Sequence, residues 1–204
     1  MNCDNQPVAI LGSILNGGAC QIIDCAKTSN SNLEFLLYDD VAYLSHTKYL
    51  GCEIRGGLAQ LELDFKLGLL SKFVVGVCSL PFRHTIFEDA QLLGLEAINI
   101  ISNLSVISES AKIGAGNIIL PSTYIGPNVN IGCNNYITCG THINHDTNVG
   151  NSNYFSTSVA VAGRVNIGNR IRLGSNSTIV ADSCIRDNTT VEEGAVYGSN
   201  NSNN

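Results

Sequence analysis

The hydrophobic pattern of this chain changes period at Ile101. From there every sixth residue is aliphatic or Phe. The run passes through Ile107, Ile113, Ile119, Ile125, Ile131, Ile137, Ile143, Val149, Phe155, Val161, Ile167, Leu173, Ile179 and Ile185 to Val191, with no insertion and no miss. A helix repeats at 3.6 residues and an isolated strand at 2.0, so neither produces this spacing. A six-residue repeat predicts a parallel β-helix in which three short strands make one triangular coil and one apolar side chain per strand points inward. Gly follows the inward residue at Gly114, Gly126, Gly132, Gly150, Gly168 and Gly174, where the chain is expected to begin its turn. The slot four after it holds small or β-branched residues such as Ala111, Thr123, Val129, Thr141 and Ser177. Eighteen residues per coil predict five coils and a remainder, a prism roughly 25 Å tall at roughly 4.8 Å per coil.

Residues 1–100 lack this period. Val8–Leu11 predicts a short buried strand, followed by the Gly-rich segment Gly12-Ser13-Ile14-Leu15-Asn16-Gly17-Gly18. Ala19–Ala26 predicts a helix with Ile22 and Ile23 inward, Leu33–Tyr38 a strand ending at Asp39-Asp40, and Glu53–Gly57 a third strand. Leu58–Leu70 reads as a helix, Phe73–Cys78 as a buried strand, Phe82–Leu93 as a helix, and Ile98–Ile101 leads into the first coil. Strands alternating with helices predict a small, Rossmann-like parallel α/β domain. The expected division is an α/β domain at 1–100, an all-β solenoid at 101–197 and a low-complexity tail at 198–204. That tail reads as a disordered linker or end, so the chain is expected to be fused to a further C-terminal domain or to stand as a fragment.

Charged residues make up only 14 % of the chain and the net charge is -6, which argues against nucleic acid as a partner. No signal peptide or membrane-spanning run is evident; apolar stretches such as Phe73–Cys78 are too short. The eight cysteines form no CxxC pair and read as reduced thiols in a cytoplasmic setting. Asn is the commonest residue, which suits solenoid corners that need left-handed backbone.

Two places carry candidate chemistry. A Gly-rich turn between strand and helix lets backbone N–H groups approach a phosphate, and an acidic residue about 20 positions later commonly meets a sugar hydroxyl. Asn16, Gly17, Gly18, Asp39, Asp40 and the strand end at Cys78 and Ser79 therefore outline a nucleotide-sugar pocket. The spacing Gly12-x4-Gly17-Gly18 is not GxGxxG and no P-loop Lys is present, so a tight turn with solvated acids explains the same residues. The second place is Ile143-Asn144-His145-Asp146. His145 falls two after an inward residue, at a prism corner facing outward, where it can accept a proton while Asp146 holds its tautomer. A surface His beside a surface Asp is the plainer alternative. His142-x-x-His145 offers only two solenoid histidines where zinc needs three, so no metal is expected. Cys133 and Cys139 occupy His145's slot on the two preceding faces and read as small thiols at turns. Basic residues are absent between Lys112 and Arg164. Arg164, Arg170, Arg172 and Arg186 then come within two coils, a plausible dock for a phosphorylated cofactor.

Together these pieces resemble the hexapeptide-repeat sugar acetyltransferases, in particular the branch with sialic acid O-acetyltransferases and N-acetyltransferases of nucleotide-linked amino sugars. The resemblance implies a left-handed β-helix, a homotrimer, and acetyl-CoA in the groove between neighbouring helices. The family motif of an aliphatic, any residue, His, then Asp or Glu is met by Ile143–Asp146, which implies His145 as general base and Asp146 as its partner. Tyr154 stands where the family often has a second His, and Ala162-Gly163 matches its small pair, whose Gly N–H reaches the acetyl carbonyl. Cofactor contacts are expected from Tyr154, Gly163, Arg164, Arg170, Arg172, Ser175 and Gly194. Tyr38-Asp39-Asp40 resembles the family's Leu-Asp-Asp, while its closing Gly-Val-Pro-Ala-Lys is absent. The implied activity is acetyl transfer from acetyl-CoA to the amino group of a UDP-linked 4-amino-4,6-dideoxyhexose. O-acetylation of a sugar hydroxyl uses the same base, and a non-catalytic sugar-nucleotide-binding scaffold is the alternative from a different class.

Overall fold

The computed structural model describes residues 6–12, 14, 17–29 and 31–198. The chain divides into two compact units, Met1–Ile100 and Ile101–Asn204. Asn16 and residues 199–204 lie outside the described residues, and with them most of the tail expected to be disordered.

The first unit is a parallel sheet with helices. Its elements are β1 (Val8–Leu11), α1 (Gly18–Thr28), β2 (Phe35–Tyr38), β3 (Lys48–Tyr49), β4 (Cys52–Gly56), α2 (Leu58–Lys66), β5 (Lys72–Val75), α3 (Leu80–Leu92) and β6 (Glu96–Ala97). The strand order is β3-β4-β2-β1-β5-β6, parallel throughout except for the short edge strand β3. Every residue of β1 is buried, as a strand covered on both faces requires. Ile22 and Ile23 of α1 are buried as the pattern predicts, and Phe73 of β5 meets Phe87 of α3 with ring centroids 5.5 Å apart.

Several boundaries differ from expectation, and three of them have a clear local reason. The helix expected to reach Leu70 stops at Lys66 because Gly68 takes a left-handed φ of 71°. Its N–H bonds Phe65 O and the next N–H bonds Asp64 O, a Schellman closure. Strand β5 ends at Val75 because Arg83, fully buried in α3, donates from Nη1 to the carbonyls of Val75 (2.8 Å) and Val77 (3.1 Å). Helix α3 begins two residues early, at Leu80, with Pro81 in its first turn, where a missing N–H costs nothing.

Beneath β2 lies a buried polar knot. Asp64 is wholly inaccessible to solvent and accepts hydrogen bonds from Tyr38 Oη (2.7 Å), Arg55 Nε (3.0 Å) and Nη2 (3.1 Å), and Gln60 Nε2 (2.8 Å). Burial alone would push its carboxyl up. The hydrogen bonds from Arg55, Tyr38 and Gln60 outweigh burial and hold it below the usual carboxylate range, while burial and the Asp64 charge push the Tyr38 phenol well up.

The second unit is a left-handed parallel β-helix. Seventeen two-residue strands, from β7 (Ile100–Ile101) to β23 (Val196–Tyr197), stack into three sheets of six, six and five strands. The first face runs through Tyr136–Ile137 and Tyr154–Phe155, the second through His142–Ile143 and Ala160–Val161, the third through Asn130–Ile131 and Asn148–Val149. The hexad residues form one continuous core, with Ile101, Ile107 and Ile113 partly buried at its start. Tyr197 adds a seventeenth position to the repeat, hidden from an aliphatic pattern because it is aromatic.

Glycines after the inward residue serve a purpose other than the expected turn. A Cβ on Gly114, Gly132 or Gly150 would stand 2.7, 2.8 or 2.6 Å from the carbonyl oxygen of the glycine one coil on, so these positions are empty to let coils stack. The left-handed corner lies two residues later, at Asn128, Asn134, Asp146, Arg164, Arg170 and their equivalents, all with φ near 60°. Other asparagines do different work. At the third-to-first corner Asn117, Asn135 and Asn153 are buried and bonded in a column, each Oδ1 accepting the backbone N–H eighteen residues on at 2.8–2.9 Å.

The Asp64 knot makes the first unit acid-sensitive. Its folded-state carboxyl is depressed, so its contribution is complete above the unfolded value of about 4 and is lost as pH falls through the lower folded value. Thermal melts are expected to hold steady from neutrality to about pH 4 and to decline below it. Asp64→Ala is expected to cost about 3 kcal/mol or more at pH 7, by leaving Arg55 and the Tyr38 hydroxyl without their acceptor. A parent-like denaturation midpoint for this variant would show that the knot is not stabilising.

Candidate active site

In the first unit the connections reverse direction between β1 and β5: α1 carries the chain from β1 to β2 on one side, and α3 carries it from β5 to β6 on the other. Crevices outside the carboxyl ends of strands at such a point are where open α/β sheets bind ligands. A cavity of about 570 Å³ lies there, lined by Gly12 after β1, Tyr38, Asp39, Asp40 and Val41 at the end of β2, and Val77, Cys78 and Ser79 after β5, with Leu58, Phe82 and Ile86 completing it. The loops meet closely: a Cβ on Gly76 would stand 2.7 Å from Gly12 O, and one on Gly12 would stand 2.5 Å from Val77 Cγ2.

Asp39, Asp40, Cys78 and Ser79 therefore converge as the sequence suggests. Gly17, left-handed at φ 89°, is the N-cap of α1 and Gly18 its first residue; neither lines the cavity. Both acids also hold backbone. Asp39 Oδ1 accepts the N–H groups of Val41 and Ala42 at 2.9 Å each, and its Oδ2 accepts Ile14 N–H at 3.2 Å. Asp40 Oδ1 accepts Leu58 N–H at 3.3 Å, capping α2. Phe82 was not expected here. It is 68 % exposed on the first turn of α3, and its exposure cannot be read from an apolar residue inside a helical pattern.

In the second unit His145 sits at the second-to-third corner. Its Nδ1 is 2.8 Å from Asp146 Oδ2, and both side chains are half exposed. The ring hydrogen bond, then the one from Asn128 Nδ2 to Asp146 Oδ1 at 3.0 Å, hold the Asp146 carboxyl below its ordinary range. An ionised carboxylate only accepts, so Nδ1 carries the proton and Nε2 is left as the basic nitrogen. That edge of the ring lies over Gly163, one coil on. A Cβ there would stand 2.6 Å from Nε2 and 2.7 Å from Cε1. Gly163 thus makes room for the ring, a role its sequence position did not suggest. Its own N–H donates to no protein acceptor among the described residues.

Of the arginines that cluster in sequence, Arg164 stands on a different corner from Arg170 and Arg172. Arg164 is at the His145 corner with its guanidinium committed to Asp182, Nε to Oδ1 at 2.7 Å and Nη2 to Oδ2 at 2.8 Å. Arg170 is at the third-to-first corner, with Nε bonded to Asn188 Oδ1 at 2.8 Å. Arg172 lies on the first face, 5.0 Å over the Tyr154 ring, which is 5.6 Å from Tyr136. Ser175 and Gly194 share the remaining corner, where Gly194 N–H bonds Ser175 O at 2.8 Å. The residues nominated for a cofactor are distributed around all sides of one prism. Among the described residues there is no group of three potential metal ligands, no disulfide, and no helix long and apolar enough to cross a membrane.

No protein-family model matches the chain, and no curated protein matches it in sequence. Solved structures match it closely in shape. A histidine-to-alanine mutant of GDP-perosamine N-acetyltransferase from Caulobacter crescentus, in complex with CoA and GDP-perosamine, superposes with a TM-score of 0.84 at 24 % identity, covering 93 % of this chain and 87 % of that one. The acetyltransferase domain of PglB from Neisseria gonorrhoeae, in complex with acetyl coenzyme A, gives 0.85 at 18 % identity over 96 % and 94 %. WeeI from Acinetobacter baumannii gives 0.73 at 17 % over 94 % of each chain. These likenesses establish the fold that the chain shares with these proteins, an α/β unit followed by a left-handed β-helix.

The Gly163 seat is testable. Gly163→Ala is expected to displace the His145 ring, read as a shift of its imidazole nitrogen resonances, with the melting temperature unchanged. Parent-like resonances would show that the ring does not need its seat.

Proposed function

We propose that this protein is an acetyl-CoA-dependent N-acetyltransferase acting on a 4-amino-4,6-dideoxyhexose linked to a nucleoside diphosphate. The observation that carries the reading is the His145–Asp146 pair, held at 2.8 Å on a solenoid corner with Nε2 over Gly163. Acetyl-CoA supplies an already activated acyl group, so no covalent enzyme intermediate is needed. His145 Nε2 accepts the proton of the sugar amine as the amine attacks, and the unengaged Gly163 N–H is placed to donate to the developing oxyanion. The cavity at the ends of β1, β2 and β5 takes the nucleotide, with Asp40 as acceptor for a sugar or base hydrogen. Support for the substrate class comes from the similar fold of the transferase with CoA and GDP-perosamine bound, and for the acyl donor from that of the domain with acetyl coenzyme A. UDP is the carrier suggested by the resemblance in sequence and GDP the carrier in the solved neighbour, so both belong in the substrate panel.

The working form in this reading is a homotrimer in the cytoplasm. Tyr154 and Arg172, Arg170, and Ser175 with Gly194 stand on different sides of the prism from His145. A single copy cannot present them to one ligand, whereas a groove between two copies can. Light scattering is expected to return the mass of three chains; a fully active monomer would remove the shared groove.

The central test is steady-state acetyl transfer with UDP- and GDP-linked amino sugars. His145→Ala is expected to lower turnover roughly 100-fold or more, the lower part of the range for general-base catalysis. Thermal stabilisation by the nucleotide sugar should persist in that variant. Turnover within a few-fold of the parent would sink His145 as the base, and transfer to a sugar hydroxyl would reassign the acceptor.

A further inference from the structure

We infer that Asn128 is a positioning residue that fixes the Asp146 carboxylate and thereby the Nδ1–H tautomer of His145. This rests on the reading of His145 as the base. Four residues eighteen apart, Asn128, Asp146, Arg164 and Asp182, stack along one corner, each left-handed with φ of 58°, 57°, 61° and 64°. The shared backbone conformation lines their side chains into a single column. Below them Ser110 Oγ accepts the Asn128 N–H at 3.0 Å and anchors its base.

Within the column the two carboxylate oxygens of Asp146 have separate tasks. Oδ2 accepts from His145 Nδ1 and Oδ1 accepts from Asn128 Nδ2 at 3.0 Å. A half-exposed carboxylate with one partner can rotate and exchange that partner for water. Anchoring the second oxygen fixes the carboxylate plane and keeps Oδ2 on the ring. The other charged groups at this corner, Arg164 and Asp182, are occupied with each other through two hydrogen bonds, and Arg164 adds only a longer-range attraction on Asp146. Asn128 alone therefore supplies the second donor. An amide suits the position because Asn tolerates left-handed backbone and donates without adding a charge beside the pair.

The test reads the ring directly. In the full-length protein labelled with nitrogen-15, the His145 resonances are identified by their loss in His145→Gln, and the tautomer is read where the ring is neutral. Asn128→Gly deletes the amide and keeps the left-handed φ, which Gly adopts freely. Asn128→Asp keeps the shape and replaces a donor with an acceptor. Both are expected to move population from Nδ1–H to Nε2–H. Turnover is expected to fall roughly tenfold, a part of the general-base contribution, with both Michaelis constants within about twofold. A parent-like tautomer in either folded variant overturns the inference, because a merely structural Asn128 would change the melting temperature and leave the ring unaltered. Absence of acetyl transfer by the parent would defeat the enzymatic reading alone, and the nitrogen shifts would still decide the role of Asn128.

Discussion

The structure of the second unit depends on one constraint, the direct stacking of eighteen-residue coils through parallel backbone hydrogen bonds. Asn144 N–H bonds Val161 O and Arg164 N–H bonds His145 O, and the same offsets recur at most corners. With no insertion from Ile101 to Val191, each side chain stands over the side chain eighteen residues away. Spacing in sequence thereby becomes contact in space. The constraint explains why Gly114, Gly132 and Gly150 have no room for a Cβ and why one residue per hexad turns left-handed. It also explains why polar side chains line up in columns. A buried Asn at one corner aims its Oδ1 at the next coil's N–H and so fills a gap that the short strands leave. Such columns are worth more when complete, since a half-satisfied buried amide costs more than an apolar side chain.

The first unit solves a different problem, bringing three loops to one crevice. Parallel strands deliver their carboxyl ends to a common edge, and the loop leaving each strand decides the shape of the cavity. Gly12 and Gly76 let two of these loops touch, while Arg83 draws the carbonyls after β5 toward α3. Asp39 and Asp40 illustrate an economy. Each caps or braces backbone with one oxygen or both, so the wall of the cavity is rigid before any ligand arrives. Tyr38, immediately before them, is held by the buried Asp64 knot. A wall pinned on both sides in this way would lose little entropy if the cavity takes the proposed nucleotide.

Much of the architecture could be read from the residues because the solenoid period is a packing rule with few exceptions. The hexad set, the helix faces of Ile22 and Ile23, and the convergence of Asp39, Asp40, Cys78 and Ser79 are consequences of periodicity and topology. The features that escaped share a cause, which is that local pattern does not encode them. Edge strands β3 and β6 are two residues long and carry no pattern. The early end of α2 depends on a left-handed Gly68 whose helix propensity penalty is small against the apolar run around it. The arginine cluster was apparent only along the sequence, because residues six apart in a solenoid land on different faces; Arg164 separates from Arg170 and Arg172 for that reason. Asn128 was invisible as part of a site because its partner Asp146 is a coil away, although the eighteen-residue offset itself would have paired them. The same offset pairs His145 with Gly163, which a resemblance to known enzymes had marked only for its N–H.

Exposed side-chain pairs often depend on a loop for their geometry, and loops move. Here His145 and Asp146 are half exposed, yet both are locked into the stack. The backbone on either side is bonded to the coils before and after, Asp146 N–H to Pro127 O and Arg164 N–H to His145 O. Orientation therefore comes from register, where a buried site would obtain it from packing. The ring has a floor at Gly163 and the carboxylate a strut at Asn128, so the pair is determined by three successive coils acting together. The reaction proposed above needs both substrates to arrive from outside, and a rigid, solvent-facing base would suit it. Burying the pair would strengthen each hydrogen bond but close the path of the proposed amine acceptor to Nε2; stacking aligns the groups while leaving that nitrogen at the surface.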